Sequence, residues 1–143
     1  MKKVVRGNVI NLLYSLHDGT VIGFEVTGDK LVMQFQYGFI KTIEPFDQVN
    51  GNVEFEKVDW DFSYVYLFEY QDVLCGNAGS FTGEKIELKK FIDQFKNFKF
   101  DLVDETYGYN LSKFDGYFSD GYSIKECSIQ IYHLGDMSYL VEE

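Results

Sequence analysis

Arginine is almost absent from this sequence. Arg6 is the only one, and the 13 basic residues face 23 acidic residues, for a formal net charge of -10. Nucleic-acid binding needs clustered Lys and Arg to neutralise phosphates, and arginine in particular reads bases with paired hydrogen bonds. The composition therefore predicts no nucleic-acid partner. A basic protein surface is the partner that the charge favours, and a solvated surface that only keeps the chain soluble is the alternative.

Cysteine and long apolar runs are also scarce. The two cysteines, Cys75 and Cys127, have no second ligand pair near them, which predicts reduced thiols and neither a disulfide framework nor a zinc site. No apolar run approaches the roughly 20 residues that cross a bilayer, and the first residues contain no continuous apolar signal segment. We therefore expect a soluble cytoplasmic protein that has no membrane contact, metal or cofactor.

Aromatic residues, by contrast, are abundant. The chain has 143 residues, among them 14 Phe, 11 Tyr and 1 Trp, and 45% of its residues are apolar. This is enough large apolar surface for a core, and the length suits one compact domain. No repeat, linker or low-complexity segment suggests a boundary. We predict a single domain over residues 1–143.

Alternating apolar residues between short turn dipeptides predict mostly strands. The predicted strands are 9–16, 20–27, 30–39, 52–60, 60–70, 98–103, 122–134 and 137–141, with a bend near Glu56-Lys57. The predicted turns are Asp18-Gly19, Gly28-Asp29, Asn50-Gly51, Asp115-Gly116 and Asp120-Gly121. The first three strands are expected to form an antiparallel meander.

One segment has helical periodicity. Within residues 84–97, Leu88, Phe91, Ile92 and Phe95 fall at positions i, i+3, i+4 and i+7, which predicts a buried stripe, and Thr82 is a candidate cap. Many short strands and one helix define the α+β class. We expect a curved antiparallel β-sheet or a two-sheet sandwich, with one amphipathic helix packed on it.

Catalytic motifs are not evident. His17 and His133 each lie near an aspartate and would form a general base or metal pair if they were adjacent, but a histidine beside a turn aspartate is more often a hydrogen-bonded structural residue. The Gly-rich residues 76–80 lack the lysine and spacing of a phosphate-binding loop, and residues 115–122 lack the ligand pattern of a calcium loop. We predict that the chain is not an enzyme.

Residues 41–72 contain 2 basic and 8 acidic residues, interleaved with aromatics at every even position from Trp60 to Tyr70. Aromatic anchors inside a charged rim are typical of protein interfaces. The predicted partner-binding residues are Glu54, Glu56, Asp59, Trp60, Asp61, Glu69 and Asp72. The even-numbered aromatics have two other interpretations: the core beneath the helix, or the lining of a small-molecule pocket.

The opening of the chain resembles a known group of proteins. Leu16-His17-Asp18-Gly19, followed by the alternating residues 21–26 and 31–35, is similar to the opening of bacterial immunity-protein families of polymorphic toxin systems. The resemblance covers about the first 40 residues. It implies a cytoplasmic, non-enzymatic protein that binds and blocks a cognate toxin, often a nuclease. The alternative is a small-molecule-binding β-domain with an aromatic-lined pocket.

Overall fold

A computed structural model of the chain describes residues 1–71 and 80–142. In chain order the elements are β1 (Lys2–Val5), β2 (Tyr14–Ser15), β3 (Thr20–Thr27), β4 (Lys30–Phe35), β5 (Phe39–Lys41), β6 (Gln48–Phe55), a 3-10 turn (Trp60–Phe62), β7 (Tyr64–Gln71), β8 (Ser80–Glu87), α1 (Leu88–Gln94), β9 (Lys99–Gly108), β10 (Leu111–Ser119), β11 (Ile124–Tyr132) and β12 (Met137–Glu142).

The strands form one antiparallel sheet in the order β1-β12-β6-β4-β3-β9-β10-β11-β7-β8, and β5 pairs with both β2 and β6. The prediction of a mainly antiparallel sheet with one helix is confirmed. The sandwich alternative is not supported, because the strands named in that order form one continuous hydrogen-bonded path.

The sheet curves until strands far apart in this order touch. Phe55 on β6 packs against Phe114 on β10 with ring centroids 6.0 Å apart, although three strands lie between β6 and β10. Val58, just beyond β6, forms a β-bridge with His133, just beyond β11. Fully buried side chains such as Phe55, Phe114 and Tyr139 fill the space that the curved sheet encloses.

The helix is shorter than predicted. Residues 80–87 extend the sheet as β8, paired in register with β7, and α1 covers only Leu88–Gln94. Thr82 therefore lies in a strand and caps nothing, and the Ser63 carbonyl accepts a hydrogen bond from the Leu88 N–H at 2.9 Å. The predicted stripe is confirmed for Leu88, Phe91 and Ile92, which are buried, while Phe95 is partly buried against the core.

Two predicted turns lie inside strands. β6 passes straight through Asn50-Gly51, and β10 passes through Asp115-Gly116. A Cβ on Gly51 would lie 2.4 Å from the Leu140 carbonyl oxygen, so this glycine permits a close approach of two strands. The turn at Asp120-Gly121 is confirmed, since Asp120 accepts hydrogen bonds from two following backbone N–H groups.

The N-terminal meander is only partly correct. Asp18, with φ of 68°, makes the predicted turn, but the predicted strand before it shrinks to β2, which pairs with β5 and not with β3. The β3–β4 hairpin at Gly28-Asp29 is confirmed. The predicted strand 30–39 ends at Phe35, and the chain passes through Gly38, where φ is 70°, before β5 begins at Phe39. The predicted strand 52–60 runs instead from Gln48 to Phe55. The bend predicted after it is found at Lys57, where φ is 53°.

Candidate functional site

Two of the predicted partner-binding acids are engaged within the fold. The Lys3 ammonium lies 2.7 Å from a carboxylate oxygen of Glu56 and 3.0 Å from one of Glu54. Lys30 approaches the second Glu54 oxygen at 4.0 Å, and Glu54 is 7% exposed. The hydrogen bond from Lys3 lowers the pKa of Glu56 below its usual value. These carboxylates therefore fasten β1 to β6 and present little charge to a partner.

One of the two acids at the 3-10 turn, Asp59, has a local partner as well. The Asp59 carboxylate accepts the Asp61 N–H at 3.1 Å, and the Trp60 indole N–H donates to the Gly28 carbonyl at 3.1 Å. Asp61 is exposed. Asp59 therefore caps the turn, and the indole ties that turn to the β3–β4 hairpin.

The remaining predicted residues lie elsewhere. Glu69 pairs with Lys125 at 2.8 Å, and the strand from Tyr64 to Glu69 spans about 17 Å. Asp72 lies outside the described residues. Glu69 therefore lies apart from the predicted residues between Glu54 and Asp61.

Three of the even-numbered aromatics of β7 face outward, which contradicts the interpretation that places them in the core. Val65 and Leu67 are buried, whereas Tyr64, Tyr66 and Phe68 are only partly buried. Register places Tyr64 and Phe68 beside outward residues of β11 and then of β10, whereas Tyr66 lies beside the buried Ser128. We define the outer face as the eight residues Tyr64, Tyr66, Phe68, Lys113, Asp115, Tyr117, Glu126 and Gln130.

Rings and charges are ordered in rows across the outer face. Phe68, Glu126 and Tyr117 align in one row, and Tyr64, Gln130 and Lys113 align in another. The rings of Tyr66 and Phe68 are nearly parallel, at 10°, with centroids 6.3 Å apart. Tyr66 and Phe68 lie two residues apart on β7, and their ring contact stabilises both side chains, so the rings form a ridge along the strand.

A basic side chain and an acidic border flank this ridge. The Lys85 ammonium on β8 lies 4.0 Å from the centroid of the Tyr64 ring, a cation–π contact. On the other side lie the carboxylates of Asp115 and Glu126, and that of Asp101 on β9 extends the acidic border. The Lys113 ammonium lies 3.7 Å from the Asp115 carboxylate and partly offsets the negative charge of this border.

A second feature surrounds Glu105, a residue that the sequence did not single out. One carboxylate oxygen of Glu105 accepts the Leu16 N–H at 2.7 Å, and the other accepts the Tyr107 hydroxyl at 2.6 Å. Burial raises the pKa of the Glu105 carboxyl, and these two hydrogen bonds oppose the rise. Clefts of about 730 Å³ and about 530 Å³ both border this residue. A partly buried carboxylate beside open clefts is a feature that only the tertiary structure shows.

The two histidines do not form a pair. His17 is exposed and contacts Asp18 at 3.5 Å and the Val103 carbonyl. His133 is buried, with Nδ1 2.9 Å from the Gly135 carbonyl and Nε2 2.7 Å from the Ser112 hydroxyl. Because a carbonyl only accepts, Nδ1 carries the proton and Nε2 accepts one from the serine. Burial lowers the pKa of His133, which suits a structural role for a neutral ring.

Metal ligands are not grouped among the described residues, where no cluster of three or more His, Cys, Asp or Glu could hold an ion. Cys127 is buried, and burial raises the pKa of its thiol to about 12. Cys75 and most of the Gly-rich residues 76–80 lie outside the described part of the chain. Asp115 is in the middle of β10, so residues 115–122 do not form a loop around a cation.

Comparisons of the chain with protein-family models, curated proteins and solved structures found no match. Within residues 1–71 and 80–142, no helix has the length and apolar character needed to span a membrane.

Proposed function

We propose that the chain is a non-enzymatic protein-binding module whose outer face docks onto a basic surface of a partner protein. The observation that carries this proposal is the ridge of partly exposed aromatic rings on β7 beside carboxylates on β10 and β11. Aromatic anchors with a charged border are the composition of energetically important interface regions.

The aromatic ridge is suited to binding because its rings are already held in place. Tyr66 stacks on Phe68, and the neighbouring strand supports them, so association loses little side-chain freedom. Tyr117, on the far side of Glu126, is 50% exposed and extends the apolar area. Tyrosine combines a large apolar ring with a hydroxyl that bonds to a polar partner.

The charge on this part of the sheet selects the kind of partner. The three carboxylates of Asp101, Asp115 and Glu126 outnumber the two ammonium groups of Lys113 and Lys85 on this side of the sheet, and the whole chain has a net charge of -10. Such a potential accelerates encounter with a positively charged surface and disfavours acidic competitors. The partner is therefore a basic protein domain.

A bacterial toxin domain is the particular partner that we propose. The resemblance of residues 16–19, 21–26 and 31–35 to immunity-protein families implies this class, and a nuclease toxin has a basic catalytic groove that an acidic face would cover. The chain would then act in the cytoplasm, where it would neutralise its toxin by occupying that groove.

The test uses the product of a toxin-like reading frame adjacent to the gene for this chain, expressed as its catalytically inactivated domain. Association kinetics are measured at low and high salt for the wild type and for Asp115→Lys with Glu126→Lys. We expect the double variant to associate at least tenfold more slowly at low salt and to lose most of the salt dependence.

The matched control carries the same charge change elsewhere, as Asp47→Lys with Asp93→Lys, two exposed positions in the β5–β6 loop and on α1. The control should keep most of the wild-type rate. Equal rates and salt slopes for both double variants would refute the outer face as the docking surface, and absence of binding by the wild type would refute the toxin partner.

The small-molecule alternative requires the even-numbered aromatics to line a pocket. Among those on β7, Phe68 borders an open cleft of about 600 Å³ together with Tyr117 and the charged Glu69, Lys125 and Glu126. An open and charged surface of this kind suits a protein partner better than an enclosed apolar ligand. The clefts beside Glu105 have mostly aliphatic and polar linings, with Tyr14 and Tyr107 as their aromatic members.

A further inference from the structure

Half of strand β9 has a neighbouring strand on one side only. β9 pairs with β10 from end to end, but its pairing with β3 stops after Phe100 and Asp101. Leu102 still exchanges backbone hydrogen bonds with residues 18–19, at 2.8 and 2.9 Å. Further along, the chain turns away as β2 to pair with β5. Among the described strands, none pairs with β9 on this side over residues 103–108.

The backbone groups left on this edge belong to Glu105 and Tyr107. Successive residues of a strand point their side chains to opposite faces and their backbone N–H and C=O groups to opposite edges. All residues whose side chains point inward therefore direct their N–H and C=O groups to the same edge of the strand. Leu102 is inward and bonds on the β3 side. A β-bulge follows Leu102, because Gly116 lies opposite Leu102 whereas Asp115 lies opposite Asp104. Beyond this bulge, Glu105 and Tyr107 lie opposite the buried Phe114 and Ser112, so the side chains of Glu105 and Tyr107 point inward as well. Their main-chain donors and acceptors therefore point away from β10.

A groove follows this free edge. The two clefts of about 730 Å³ and about 530 Å³ adjoin at Glu105, and residues 103–108 of β9 form one wall of the pair. Residues 8–12 form much of the opposite wall, with apolar contributions from Ile10 and Leu12, and Ile43 adds to one cleft. Ile10 is 99% exposed and Ile43 is 70% exposed, so this wall offers apolar surface that nothing in the described chain covers.

The charges in the groove define what it can hold. Asp104 is exposed beside the partly buried Glu105, whose oxygens each accept one of the two hydrogen bonds described above and have capacity for another. Arg6 stacks on the Tyr107 ring at 4.2 Å, and His17 lies in the other cleft, so these side chains mark the two ends. An occupant that alternates basic and apolar side chains would satisfy the carboxylates and cover the apolar wall.

We propose that the free edge of β9, at Glu105 and Tyr107, binds an extended, basic segment of a partner protein by adding it as a strand. Main-chain hydrogen bonds supply affinity in this mode of recognition, and side chains at alternate positions supply specificity. The site is separate from the outer face and does not depend on the function proposed for that face.

The two end strands of the sheet are less suited to the same role. β8 carries Glu84, Lys85 and Glu87 on an exposed strand, and charged edge residues oppose pairing with a further strand. β1 is mostly exposed, and the clefts beside Glu105 do not reach its strand residues. The β9 edge combines unpaired backbone with apolar and acidic walls.

The test uses amide hydrogen exchange of the full chain with a synthetic hexapeptide, acetyl-Lys-Val-Lys-Val-Lys-Val-amide, as the probe. We expect the peptide to slow exchange of the Glu105 and Tyr107 amides at least tenfold. The Thr106 amide, which faces β10, should change little. A hexapeptide with Glu in place of Lys should have no effect.

Two comparisons isolate the strand addition. Peptides methylated on every second backbone nitrogen, either at the lysines or at the valines, should differ at least tenfold in affinity, because only one set faces β9. Glu105→Gln should weaken binding at least fivefold, whereas Glu25→Gln, at an exposed carboxylate on β3, should not. Asp115→Lys with Glu126→Lys should leave peptide binding intact, which separates this site from the outer face.

Four results would overturn the proposal. The first is that millimolar peptide leaves amide exchange at Glu105 and Tyr107 unchanged, and the second is that the peptide slows exchange in β1 or β8 instead. The third is that the two methylated peptides bind with equal affinity. The fourth is that the Glu105 and Tyr107 amides are already protected from exchange without peptide. Protection without peptide that is independent of protein concentration would mean that the chain covers its own edge. Protection that grows with concentration would mean that a second copy does.

Discussion

The Glu105 carboxyl links protein stability to pH. Burial raises its pKa in the folded chain, whereas the unfolded chain ionises near the usual value of 4.5. Just above that pH the native state holds more protons than the unfolded state, so this group makes the free energy of unfolding fall as pH rises. We predict that Glu105→Gln removes this contribution, so the variant gains stability relative to wild type as pH increases from about 4.5.

The measurement is urea unfolding of both proteins at intervals between pH 4 and pH 8. The amide can accept the Leu16 N–H and donate to the Tyr107 oxygen, so the fold should persist. A stability difference that is constant with pH, or that changes in the opposite direction, would contradict the assignment.

The strand β10 depends on a glycine that the sequence predicts as a turn residue. A Cβ on Gly116 would lie 2.0 Å from the Asp101 carbonyl oxygen, a backbone atom that cannot move aside without disturbing β9. We predict that Gly116→Ala lowers the free energy of unfolding by about 1–3 kcal/mol. Gly108→Ala, at a position with no atom within 4 Å, is the control and should be nearly neutral. Equal losses in denaturant melts would show that the close approach is not the cause.

The helix α1 is held to the sheet through Phe91. Its ring lies 5.5 Å from that of Phe98 and 5.7 Å from that of Phe118, centroid to centroid, and it is fully buried. We predict a loss of roughly 3–5 kcal/mol for Phe91→Ala, because the substitution leaves a cavity in a packed aromatic cluster. Lys90→Ala, on the exposed side, should change stability by less than about 0.5 kcal/mol. A loss below about 1 kcal/mol for Phe91→Ala would mean that the cluster repacks.

Strand alternation and helical periodicity were enough to predict the fold class and the buried stripe of α1, because both patterns are local. The helix start was wrong because residues 84–87 are recruited as β8 by pairing with β7, a contact that local sequence does not show. Asn-Gly and Asp-Gly marked turns only where no other strand passed close by. At Gly51 and Gly116 the same dipeptides instead permit two backbones to approach.

The candidate sites were less predictable for a related reason. The composition shows that the chain is acidic, but it does not show which carboxylates are paired within the fold. Lys3, on a strand about 50 positions earlier, forms ion pairs with Glu54 and Glu56. The aromatic alternation of β7 predicted two distinct faces correctly, but it left open which of them faces the core. Glu105 had no local signal at all, since its environment is created by β2 and by residues 8–12.

At the scale of the molecule, His133 stands where the curved sheet meets itself. Val58 bridges to His133, and the imidazole packs against Phe55 with centroids 5.2 Å apart. Burial lowers the pKa of this ring below its usual 6.5, so the unfolded chain binds the proton more readily. Stability should therefore fall as pH drops below about 6.5.

We predict that His133→Gln weakens this dependence between pH 7 and pH 5, because glutamine does not titrate there. The substitution itself should cost about 1–2 kcal/mol through lost packing with Phe55. Unfolding midpoints at matched pH values provide the check. A variant with the full wild-type acid sensitivity would show that another group is responsible.

The pairing of β1 with β12 has a consequence for how the chain folds. Lys2 lies opposite Val141, so these strands can join only after residue 141 has been synthesised. Closing so long a loop is entropically costly, and topologies rich in distant contacts fold slowly, in about milliseconds to seconds. The β9–β10–β11 hairpins are local and can form first. We expect β1 to dock last, through Lys3, so newly made chains would expose β12 as an uncovered edge that is vulnerable to aggregation.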